Sequence, residues 1–90
     1  MNNATRKQLA TIRGEMGELK SKLDDLRSQL ETIKDEEQDK FDNMPEGLQQ
    51  GDNGQKMEAA IGEMESAVSE LESIDSELES AIGNIETASE

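Results

Sequence analysis

Residues 9–33 read LATIRGEMGELKSKLDDLRSQLETI. Leu9, Ile12, Met16, Leu19, Leu23, Leu26, Leu30 and Ile33 alternate at spacings of three and four without a break. That spacing places every apolar residue on one stripe of a helix and is the a/d seam of a coiled coil. Asn3 or Thr5 is expected to cap the start. Gly14 and Gly17 each weaken the helix by about 1 kcal/mol relative to Ala.

A second periodic stretch lies further along the chain. From Met57 the chain reads MEAAIGE, MESAVSE, LESIDSE, LESAIGN, IETASE, an internal seven-residue repeat. Met57, Met64, Leu71, Leu78 and Ile85 take position d, and Ile61, Val68, Asp75 and Ile82 take position a. A strict seven-residue period implies a left-handed supercoil. Asp75 at an a position reads as a polar layer that sets register, or as a local shift that buries Ile74 instead.

Between the repeats lies DKFDNMPEGLQQGDNGQ, residues 39–55, with the only Pro and three of the seven Gly. Asn43 and Pro45 suggest an N-cap and first position of a short helical turn over 45–50. Gly51-Asp52-Asn53-Gly54 reads as a turn, with Asp52 or Asn53 capping the second helix. The expected organisation is one domain over 1–90, with a helix at 5–42, a turn segment at 43–54 and a helix at 55–87.

The charges suggest how the helices pair. Position e is basic throughout the first repeat (Arg6, Arg13, Lys20, Arg27, Lys34) and acidic throughout the second (Glu58, Glu65, Glu72, Glu79, Glu86). In an antiparallel pair e faces e, so the two edges match within one chain. The expected ion pairs join Arg6 to Glu86, Arg13 to Glu79, Lys20 to Glu72, Arg27 to Glu65 and Lys34 to Glu58. The matching core layers join Leu9 to Ile85, Ile12 to Ile82, Leu23 to Leu71 and Ile33 to Ile61. Exposed ion pairs contribute only about 0.2–1 kcal/mol each, so they select orientation more than they stabilise. The predicted fold is an all-α antiparallel two-helix coiled-coil hairpin.

That hairpin is thinly cored. Only 31% of residues are apolar, and Phe41 is the one aromatic. The second helix carries Ala60, Ala67, Ile74, Ala81 and Ala88 at g, which widens its apolar stripe beyond a two-helix seam. These residues are candidates for an oligomer interface, most simply a dimer forming a four-helix bundle.

Composition excludes several functions. The chain has no Cys and no His, so it has no disulfide, no thiolate nucleophile and neither of the commonest zinc ligands. Carboxylates abound, but on regular solvated stripes rather than as a buried pair fit for acid–base work. An enzyme is not expected, nor a cofactor or a metal site, although Glu36, Glu37, Asp39 and Asp42 cluster in sequence. The net charge of -13 opposes direct binding to nucleic-acid phosphates. It is uneven: residues 1–45 hold 8 basic and 10 acidic side chains, residues 46–90 hold 1 and 12. The acidic c positions Glu63, Glu70 and Glu77 read as a solvating face, or as a nucleic-acid mimic. No apolar run approaches a membrane span, and no leader follows Met1, so a soluble, intracellular protein is expected.

The segment around Phe41 is the least regular. Phe41, Met44, Pro45 and Leu48 sit within eight residues. They read either as a small satellite core closing the hairpin or as a recognition tip in which Phe41, Asp42, Asn43, Met44, Pro45 and Leu48 touch a partner. The pattern E-E-Q-x-x-F-D-N-M-P-E-G-L-Q over residues 36–49, followed by an acidic Ala/Leu/Ile helix, resembles a group of small phage- and prophage-encoded proteins, mostly of unassigned function. The resemblance implies a small accessory phage protein in the host cytoplasm with a helical-hairpin fold. It implies a non-enzymatic oligomeric binder that antagonises a host factor, in some cases a defence complex. Other such proteins are sponges for an anionic nucleotide signal, for which Arg6, Lys7 and Arg13 are the candidate anion-binding residues. A structural or scaffold component of a virion is the remaining expectation.

Overall fold

In the computed structural model, which describes residues 1–90, the chain is all-helical: α1 (Asn3–Asp42), α2 (Glu46–Gln49) and α3 (Asp52–Ala88). The molecule is a rod of 68 × 14 × 14 Å. Forty residues of helix span about 60 Å, so α1 alone sets the length. The radius of gyration is 20.1 Å, against about 12 Å for a compact domain of this size.

α1 packs along α3. Arg6 reaches the carbonyl of Glu90 (3.5 Å), and Lys20 meets Asp75 in the middle (3.2 Å). At the far end Phe41, Ile61 and Gln38 line one groove. The start of α1 therefore lies beside the end of α3.

The ends of the helices are set by local chemistry. Asn2, not Asn3 or Thr5, caps α1: its backbone is extended and its side chain accepts from the Thr5 N–H (2.8 Å). Asn43 ends α1, its N–H donating to Asp39 O (3.1 Å), and so does not start the next turn. Pro45 is the cap of α2 rather than its first residue, and its carbonyl accepts from Leu48 and Gln49. α3 starts three residues earlier than expected. Gly51 caps it with no side-chain bond, and Asp52 places its carboxylate in the first turn, where the helix dipole favours a negative charge. Gly54 is thus inside the helix and buried, not in a turn. A Cβ there would meet the Gln49 carbonyl and lie 2.5 Å from Leu48 O, so α2 can rest on α3 only because residue 54 has no side chain.

The core is slight. Ile61 and Val68 of α3 are the only buried hydrophobic residues. α3 presents its a and d positions to α1, with Met57, Met64, Leu71, Leu78, Ile82 and Ile85 half-buried. α1 departs from the expected seam. It turns a and e inward, so half-buried Leu9, Met16, Leu23 and Leu30 alternate with half-buried Arg13, Lys20, Arg27 and Lys34. Its d residues Ile12, Leu19, Leu26 and Ile33 are exposed. Ile12 and Ile33, expected to pair with Ile82 and Ile61, are thus half uncovered rather than enclosed in the seam. The difference amounts to a rotation of α1 by roughly half of the ~100° between successive residues. Its cause is the long cationic side chains, which cover apolar surface with their stems while their heads reach solvent or carboxylates.

Candidate functional site

Three regions stand out on the rod: a polar layer in its middle, an apolar flank, and the corner around α2.

In the polar layer, Lys20 bridges Asp75 (3.2 Å) and Asp24 (3.8 Å), and it is the only residue making a salt bridge between the long helices. The hydrogen bond to Asp75 is the main influence holding the Lys20 ammonium above its ordinary value, with Asp24 and Glu79 adding to it against the cost of burial. Asp75 faces the seam while neighbouring Ile74 is exposed, so the polar-layer reading of this position describes the chain. Its Oδ1 is buried without a hydrogen-bond partner.

The five expected e–e ion pairs are absent. Arg27 pairs with Glu31 on its own helix (2.9 Å), and Lys34 with Asp35 (2.8 Å). The bond to Asp35 is the first cause of the raised Lys34 ammonium, and Glu65 across the seam contributes at longer range. The basic and acidic edges thus share one flank of the rod but act mostly through space. Because α1 turns its e row into the seam, those side chains are drawn under α3 rather than out to the tips of its glutamates.

The opposite flank is apolar. Ile12 (46% exposed), Leu19 (52%), Leu26 (42%) and Ile33 (51%) form a row on α1 at intervals of one heptad. In two oppositely directed helices, positions d and g of both lie on the side away from the e edges. The α1 row therefore runs beside the g row of α3, where Ala60, Ala88 and Ile74 are exposed and Ala67 and Ala81 half-buried. Large side chains on one helix lie alongside mostly small ones on the other. The three-and-four spacing by itself places the α1 row in the internal seam. The available signal was that α1 carries three rows with apolar reach (a, d and the stems of e), more than one neighbouring helix can cover.

At the corner, Phe41 and Met44 are half-buried, whereas Asp42, Asn43, Pro45 and Leu48 are exposed. Gln49 Nε2 donates to Phe41 O (2.7 Å), tying α2 back onto α1. Gln38 Nε2 holds Asp42 Oδ1 (2.9 Å). Met44, Leu48, Gly51, Asp52 and Asn53 line an open depression. Phe41 and Met44 therefore serve packing, and Leu48, 61% exposed, is the residue the corner presents.

The candidate anion-binding residues do not converge in the single chain. Arg6 is engaged with the Glu90 carbonyl, Lys7 is exposed, and Arg13 lies half-buried in the seam. Neither groove of the molecule includes any of them. No group of three acidic residues is arranged to hold a metal ion, Glu36, Glu37, Asp39 and Asp42 included. No helix is long and apolar enough to cross a membrane.

No protein-family model, curated protein or solved structure matches the chain.

Proposed function

We propose that the chain is a non-enzymatic interaction protein, an antiparallel coiled-coil hairpin that works by presenting its apolar flank to another helical surface. The observation that carries this reading is the row Ile12, Leu19, Leu26 and Ile33, four large aliphatic side chains left 42–52% exposed by the packing of the chain on itself. Large apolar residues repeated along one face of a rigid element are the spaced anchors of helix-in-groove recognition, and uncovered apolar side chains gathered on one flank support an interface there. The antagonist of a host factor implied by the phage-like segment would act in this way, through a preformed face rather than through chemistry.

The test is the double variant Leu19→Glu with Leu26→Glu, compared with the wild type for complexes formed by the pure protein and in host extract. Loss of those complexes in the variant is the expected result. A variant that forms the same complexes as the wild type, or a wild type that forms none, would refute the reading.

A further inference from the structure

The occupant of the apolar flank can be argued from area, shape and charge. A folded monomer of 9.9 kDa exposes about 5,200 Å², whereas this chain exposes 6352 Å². The surplus of about 1,150 Å² goes with the rod shape, and covering the roughly 800 Å² per copy of an interface of standard size would bring the chain close to the compact value.

Shape favours self-association. The Lys20–Asp75 contact fixes the levels of the two helices, and at those levels Leu26 lies beside Ala67 and Ile33 beside Ala60. Turning a second rod about the long axis sets three of the four large α1 residues (Ile12, Leu26 and Ile33) over alanines of α3, in both contacts at once. Such a surface is complementary to itself, as a two-fold interface requires. Leu19 over Ile74 is the one layer of two large side chains, near the middle.

Charge selects the same arrangement. The half of the chain bearing α1 has 8 basic and 10 acidic residues, and the half bearing α3 has 1 and 12. Placing α3 against α3 would oppose the rows Glu63, Glu70 and Glu77 of the two copies. Placing α1 against α3 sets these acidic helices on a diagonal, and brings Lys22 within a helical turn of Glu70 and Glu36 within a turn of Lys56 of the second copy.

Resting on the reading of the flank as an interface, we propose that it is covered by a second copy of this chain, so that α1 of each copy lies antiparallel against α3 of the other in a four-helix bundle. The Ala ridge of α3 is thereby half of the interface, and the exposed row of α1 is the other half.

The chain has no Cys, so single cysteines report the arrangement directly. The experiment combines sedimentation of the pure chain over a dilution series with mild oxidation of mixed single variants. A dimer mass is expected, with a disulfide forming between L26C and A67C chains and not between L19C and L26C chains. The reverse cross-linking pattern overturns the arrangement, because an α1-on-α1 bundle puts Leu19 over Leu26 of its mate. A stable monomer at every concentration overturns the second copy. If L19E/L26E then still loses a complex that the wild type makes with another macromolecule, the interface reading survives alone. If it loses nothing, both fall.

Discussion

Gly54→Ala isolates the contact that closes the rod. In most helical positions this change stabilises, because Ala gains about 1 kcal/mol over Gly in helix propensity. At residue 54 the new Cβ would stand 2.5 Å from Leu48 O, 0.9 Å inside the 3.4 Å at which ordinary contact begins, and closer still to the Gln49 carbonyl. Both obstacles are backbone, so no side-chain rotation relieves them. Either α2 lifts off α3 or the first turn of α3 distorts. Forced overpacking of this kind costs about 1–3 kcal/mol. The internal control is Gly62→Ala, also in α3, where a Cβ meets nothing within 4 Å. The propensity gain is common to both, so the two variants should separate by the overpacking cost of about 1–3 kcal/mol, a Tm difference of about 4 °C or more at about 4–8 °C per kcal/mol. Circular dichroism melts at one fixed protein concentration measure it, since association shifts Tm by mass action. A Gly54→Ala protein melting at or above the wild type would show that α2 does not rest on α3 as described.

Other consequences come from single contacts. Ile61 is 5% exposed and Ile33 51%, so on the single chain Ile61→Ala should cost about 2–5 kcal/mol and Ile33→Ala no more than about 0.5 kcal/mol; equal costs in denaturant titrations run at a concentration where the chain is monomeric by sedimentation would restore the regular a/d seam. Asn2→Ala should remove about 1 kcal/mol of helix capping and speed amide exchange at Thr5, while Asn3→Ala leaves that amide unchanged. The Lys20 ammonium is raised above 10.5, chiefly by its bond to Asp75. Its contribution is therefore complete below pH 10.5 and lost as pH climbs through the folded-state value. Tm should fall across that alkaline window in the wild type and less in Asp75→Asn; identical profiles would mean that the pair contributes nothing.

Much of the fold was legible in the residues alone. The spacing of apolar residues from Leu9 and from Met57 was enough to specify long helices, because a helix needs only local periodicity and good formers to declare itself. Pro45 and the glycines marked the break for the same local reason. Asp75 stood out as polar at an apolar position. Cap assignments were one to three residues off, because Asn2, Asn3, Asp52 and Asn53 all offer similar local hydrogen bonds, and packing decides among them.

Rotation about the helix axis was not legible. Both a/d and a/e faces of α1 can cover α3, and their difference depends on how the stems of Arg13, Lys20, Arg27 and Lys34 pack and where their charged heads find carboxylates. That balance is a property of two surfaces in contact, not of either stretch of sequence. Two long amphipathic helices, their lengths to within a turn and the charge each edge carries follow from the residues alone, since these depend on local periodicity and composition. That Ile12, Leu19, Leu26 and Ile33 face outward follows from packing alone, because which stripe of a helix is covered is settled by what lies against it.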